Sequence, residues 1–115
     1  MVVTRFDVPV ADGEEFLAQA QAALGAFRAR PGYVRGRVGR AVDDATVWLL
    51  TTEWESVASY RRSLSGFDVK VHGVTLLARA RDELSAFETL ADDGGEHGSL
   101  RAVDADTTGP PKAPR

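Results

Sequence analysis

His72 carries the plainest chemical potential in this sequence, because an imidazole titrates near neutrality and serves equally as a general base or a metal ligand. The other histidine, His97, stands in a stretch rich in Gly and Asp. Two histidines so far apart, with no clustered carboxylates, lack the spacing of a metal site. The chain has no cysteine, which removes disulfides, thiolate metal sites and a cysteine nucleophile together. Trp48, Trp54, Tyr60 and Phe67 offer rings that either fill a core or wall an apolar pocket, and the core is the commoner use. Arg28, Arg30, Arg35, Arg37 and Arg40 read as an anion site only along the chain. Alternation on a strand sends them to opposite faces, which implies a solvated and ion-paired surface. Gly36 and Gly39 precede no helix start, so they form no phosphate loop.

A chain of 115 residues builds one hydrophobic core, since domains commonly span ~100–150 residues. The apolar periodicity occupies residues 1–91. Residues 92–115 hold only Leu100 and Val103 as large apolar side chains among Gly, Pro, Asp and Thr; such a tail buries too little to offset its chain entropy and is expected to be mobile. Residues 1–91 carry 11 basic and 12 acidic side chains and the tail 3 and 5. Neither part has the positive excess that phosphate backbones favour, so nucleic acid is not an expected partner. The N-terminal stretch lacks a charged region leading into an apolar one, and no apolar run approaches the ~20 residues that span a bilayer. A cytoplasmic location without membrane contact is the expectation.

These chemical groups must be held by regular elements. Residues 2–8, β-branched and aromatic and closed by Pro9, predict a first strand. Asp12 with Glu15 predicts a capping box, and Phe16, Leu17, Ala20, Leu24 and Phe27 recur at helical spacing until Pro31-Gly32 stops the helix near Arg30. Residues 33–40 and 46–54 predict a hairpin turning at Asp43-Asp44. The second of these strands is apolar on both parities, with Trp48, Leu50 and Trp54 on one face and Val47 and Leu49 on the other, which predicts a central strand. Ser56 predicts a helix cap, with Val57, Tyr60 and Leu64 inward and Arg61 and Arg62 in water. Gly66 and Gly73 predict a broken or kinked helical segment over 67–81. Residues 84–90 predict a last strand. The order β-α-β-β-α-β gives an α+β, ferredoxin-like fold with a four-stranded antiparallel sheet and helices on one side. The bare sheet face is then expected to be covered by a second copy, as a two-fold homodimer.

This order, with TRFDVP at 4–9, RPGYVRGRVGRAVDD at 30–44, TEWESVASYRRSLSG at 52–66 and DELSAFETL at 82–90, resembles the antibiotic biosynthesis monooxygenase family of dimeric α+β barrels over residues 2–91. Some members oxygenate polycyclic aromatic phenols without metal, haem or flavin; others bind and degrade haem. The resemblance implies a cofactor-independent monooxygenase acting with dioxygen on an aromatic, polyketide-derived small molecule, with Trp54 and Tyr60 lining the pocket and donating hydrogen bonds. His72 is the candidate base or, in the haem-binding variant, the candidate ligand. Relatives of both kinds use a pocket asparagine, and this chain contains none; Leu50 stands four positions before Trp54. Arg37 or Thr52 is the candidate replacement, and Arg37, Leu50, Thr52 and Phe67 are the expected substrate contacts. A haem protein and a non-catalytic ligand-binding dimer are the alternatives.

Overall fold

The computed structural model describes residues 1–94. Alternation of apolar and polar residues makes β1 (Val2–Asp7), which buries Val2, Thr4 and Phe6 and leaves Arg5 and Asp7 exposed. β2 (Tyr33–Arg40) and β3 (Val47–Trp54) form the predicted hairpin, and the antiparallel sheet runs in the order β1-β3-β2. The central place of β3 follows from its two apolar faces. Trp48, Leu50 and Thr52 are buried beneath the helical layer, while Val47, Leu49 and Thr51 are half-buried on the other face. The turn before β3 is an Asx turn, in which Asp44 Oδ1 accepts from Thr46 N at 2.9 Å and from Thr46 Oγ1 at 2.6 Å.

α1 (Gly13–Arg28) packs on this sheet through Phe16, Ala20, Ala23, Ala26 and Phe27. The two fully buried alanines, Ala20 and Ala23, bring the helix close to the sheet, whereas Leu17, expected inward, is exposed. Phe6 and Phe16 lie 5.0 Å apart by ring centroids, and Phe16 meets Trp48 edge-on at 5.2 Å. Asp12 stands at the N-cap as predicted, but its side chain caps nothing. A 3-10 turn over Val10–Asp12 leads into the helix and sets Asp12 at φ −98°, ψ 6°, outside the extended conformation from which a cap side chain reaches back.

Gly32 ends the connection from α1 to β2 with φ +87°, and its carbonyl accepts from Glu55 N at 2.8 Å. A Cβ there would stand 2.5 Å from both Cβ and Oγ of buried Ser59. Gly32→Ala is therefore expected to cost about 2–4 kcal/mol in a denaturant melt, from the left-handed backbone and the displaced serine together. A loss below 1 kcal/mol, on the order of an ordinary surface substitution, would contradict this packing.

α2 (Val57–Ser63) starts as predicted, with Ser56 Oγ accepting from Ser59 N at 3.1 Å. The following helical segment is irregular, as the sequence predicts. It passes through a π-helical stretch, Val69–Val74, into the short α3 (Thr75–Leu77). The wide turn is tied by Thr75 Oγ1 donating to Lys70 O at 3.1 Å, and it seats buried Gly73 against α1. A Cβ on Gly73 would approach Phe27 Cζ to 3.0 Å.

The fourth strand does not form. Residues 84–90 run beside β1 with one bridge, Val2↔Ala86, so the sheet has three strands. Val3 N donates to Ser85 O at 2.7 Å and Phe87 N to Met1 O at 2.8 Å. Leu84 and Leu90 are 84% and 88% exposed; with no layer over these side chains, burial does not extend the pairing into a ladder. The predicted tail of 92–115, with His97, lies almost wholly outside the described residues.

Two ion pairs hold the start of this edge segment. Arg5 Nε meets Glu83 Oε2 at 2.8 Å, and Arg81 Nη2 meets Asp7 Oδ1 at 2.7 Å. Hydrogen bonds from Arg81 and Arg5 hold the Asp7 and Glu83 carboxyls below their ordinary 3.8 and 4.5. A carboxyl whose folded pKa is depressed contributes stability above its unfolded pKa and loses it as pH falls through the folded value. Amide exchange in residues 81–87 is thus expected to be constant from neutrality to about pH 5 and to quicken, relative to the intrinsic rate, as the pH drops below those ordinary values. Equal protection at pH 6 and pH 3 would refute the clamp.

Candidate aromatic pocket

Four rings meet where β2, β3, α1 and α2 converge. Trp54, at the end of β3, contacts Phe27 of α1 edge-on at 5.8 Å, Tyr33 at the start of β2 at 5.4 Å and Tyr60 of α2 at 5.8 Å. The local reasons are simple. Even-numbered positions of β3 face the helices, which sends Trp54 there with Thr52 and Leu50. The Ser56 cap starts α2 immediately after the strand, and one helical turn later Tyr60 returns to the indole. Phe27 is held from behind by Val69 and Gly73 of the π stretch.

The polar atoms of this cluster divide into committed and free groups. Trp54 Nε1 donates to Thr52 Oγ1 at 2.8 Å, so the indole offers a ligand its face and its only donor is already used. The Tyr60 hydroxyl has no hydrogen-bond partner among the described residues, and burial pushes its pKa above the ordinary 10.0. It remains protonated near neutrality and can donate. Burial raises Tyr33 as well.

Beside Trp54 and Tyr60 opens a cavity of about 220 Å³, walled further by Val2, Val57, Ala86 and Phe87, with the exposed Glu55 and Glu88 also among its lining residues. The structure thus brings together the predicted Trp54 and Tyr60, with Thr52 behind the indole. Leu50 is buried in the core with Phe6 and Trp48 and does not line the cavity. Arg37 pairs with Thr51 and therefore projects from the helix-free face of the sheet, away from the cavity; the parity of β2 decides this. Phe67 is 80% exposed, because the turn through Gly66 starts a new helical segment with that ring outward. His72 is exposed on the outer side of the π stretch and lines a different groove, with α1. The expected constellation of Trp54, Tyr60 and His72 is not assembled. Among the described residues no histidine lines this cavity, so His72 is not placed to ligate a haem there.

The wall contributed by Ala86, Phe87, Glu88 and Thr89 was not anticipated as part of the site. Its signal was the DELSAFETL stretch, legible as a last strand but not as a pocket wall until its pairing with β1 is known. Chemically the lining supplies aromatic rings, a neutral tyrosine and two exposed acidic residues. That combination suits a flat aromatic molecule bearing an oxygen substituent.

Comparisons with known proteins bear on the fold and the family. The crystal structure of SnoaB, a cofactor-independent oxygenase from Streptomyces nogalater, is similar at 25% identity over 78% of this chain and 94% of that chain, with a TM-score of 0.55. Rv0793 from Mycobacterium tuberculosis shares the fold at TM-score 0.64 and 14% identity, over 81% of this chain and 96% of that one. A conserved protein from Methanosarcina mazei does so at TM-score 0.60 and 16% identity, over 74% and 83%. No protein of curated function matches this chain. The sequence profile of the antibiotic biosynthesis monooxygenase family matches residues 1–71, more than half of the chain, and with the sheet, the helical layer and the aromatic corner in place this protein belongs to that family.

Proposed function

We propose that this protein is a cofactor-independent monooxygenase that oxidises a flat, polyketide-derived phenol with dioxygen. The observation that carries the reading is the Tyr60 hydroxyl, protonated, half-buried and unpartnered among the described residues, beside the face of Trp54. In a hydroxylated anthrone the ring methylene is acidic because its carbanion is delocalised onto the carbonyl oxygen. A donor at that oxygen stabilises the charge as it develops, and Glu55 or Glu88 in the same cavity accepts the proton. The carbanion then reduces dioxygen directly. One oxygen atom becomes the new carbonyl and the other leaves as water, so methylene and dioxygen convert to quinone and water with no external reductant. His72, facing another groove, has no part in this step.

At about 220 Å³ the cavity is smaller than the ~300–1,000 Å³ typical of small-molecule sites. A tricyclic substrate therefore extends past the wall at 86–89, whose single bridge to β1 lets it give way. The helix-free sheet face, with half-buried Val3, Val47 and Leu49, supports the proposal of a homodimer in which a second copy covers it, and a cytoplasmic location belongs to the same proposal.

The test is oxygen consumption by metal-free protein given 1,8-dihydroxyanthrone, in the presence of a chelator. Uptake above the spontaneous rate, saturable in substrate, is expected. Saturable binding without uptake would replace the oxygenase with a ligand-binding protein.

A further inference from the structure

The outer side of α1 leaves a second groove against the helical segment 69–77, and it shares no lining residue with the aromatic cavity. Its volume is about 420 Å³, inside the ~300–1,000 Å³ range of small-molecule sites. Ala18, Ala22, Val71 and Leu76 give it apolar surface, and Gln19, His72, Thr75 and Arg79 give it polar groups. In a chain with 17 acidic against 14 basic side chains, no acidic residue lines this groove among the described residues.

The cation in it is held in place. Arg79 Nη1 donates to Gln19 Oε1, and its guanidinium lies 5.5 Å from the centroid of the Phe16 ring. Both contacts fix the orientation of the fork, and neither neutralises its charge. A guanidinium has five donors, so donors remain for an incoming oxygen pair. The Thr75 hydroxyl is spent on Lys70 O, whereas the His72 imidazole has no hydrogen-bond partner among the described residues. The arrangement is an apolar surface with a preset planar cation beside it, which matches a carboxylate attached to a small hydrophobic body.

We propose that this groove is a second ligand site, for a small organic carboxylate. Its acid group sits on Arg79 with His72 alongside, and its apolar body covers Ala18, Ala22 and Val71. The site is independent of the oxygenase reading and stands or falls separately.

The experiment is a titration of the ¹⁵N-labelled full chain with 1-naphthoate and, in parallel, with the neutral 1-naphthalenemethanol, followed by amide chemical shifts. Saturable shifts are expected at Gln19, Ala22, Val71 and Thr75, with the alcohol bound at least about tenfold more weakly, as loss of a charge-assisted bidentate pair implies. Arg79→Gln is expected to bring naphthoate down to the affinity of the alcohol. Ala22→Glu, on the exposed side of α1, is expected to abolish naphthoate binding through bulk and like charge while leaving Arg79 in place. Shifts confined to Trp54, Tyr60 and Ala86, no saturation, equal affinity for acid and alcohol, or indifference to both substitutions would each overturn the proposal.

Discussion

Tyr60→Phe is expected to lower anthrone-dependent oxygen uptake by about a hundredfold, the usual loss when one donor to a developing oxyanion is removed, and to leave stability almost unchanged. The two halves of this expectation have the same origin. The hydroxyl has no partner among the described residues, so its removal breaks no structural hydrogen bond, and the ring remains against Phe27 and Trp54 at 6.5 and 5.8 Å. Trp54→Phe behaves differently. It takes away part of the stacking face and also leaves the hydroxyl of buried Thr52 without its donor, at a cost of roughly 1–3 kcal/mol to the fold. A loss of activity in Trp54→Phe is therefore interpretable only beside Thr52→Val, which breaks the same hydrogen bond and keeps the indole. Phe67→Ala, at an exposed ring that is not part of the cavity lining, is the control expected to retain full uptake. If Tyr60→Phe retains wild-type turnover, the phenol is not the oxyanion donor and the assignment of this corner fails.

Phe27→Ala is expected to destabilise the protein by about 3–5 kcal/mol, the range for deleting a fully buried ring. The phenyl group is 1% exposed and touches three separate parts of the structure. It meets Trp54 edge-on, leans on Tyr60 and receives Gly73 and Val69 of the π stretch from the other side. The cavity left behind cannot collapse easily, because the wide turn at Val69–Val74 and the end of β3 are fixed by their own hydrogen bonds. Since small domains have only about 5–15 kcal/mol in total, the variant is expected to approach the unfolding threshold, read as a large fall in the urea midpoint. Phe27→Leu, which keeps most of the volume, is expected to lose less than half as much. A cost below about 1 kcal/mol for Phe27→Ala would mean that the aromatic corner tolerates rearrangement and is not a preorganised wall.

The sequence by itself determined the elements whose signals are local. β1, the hairpin, the central position of β3, the Ser56 cap and the irregular helical segment around Gly66 and Gly73 follow from parity, turn chemistry and propensity, and each was legible residue by residue. The Trp54–Tyr60 pair came from the family resemblance, and the structure brings the rings together because a strand end, a cap and one helical turn set that distance almost locally. What the tertiary structure decided is every relation between distant segments. Whether 84–90 becomes a strand depends on what covers Leu84 and Leu90, and nothing in their own spacing reports that. Arg37 left the expected site through the facing of its strand relative to the helices, and Phe67 through the restart of the helix after Gly66. His72 was separated from the aromatic pair because the π stretch has two sides. Gly73 and Val69 turn inward to Phe27, and the imidazole turns outward to α1. A one-residue change in helical phase would have exchanged those roles, and phase in an irregular helix is set by packing against its neighbours rather than by the identity of the residues it carries.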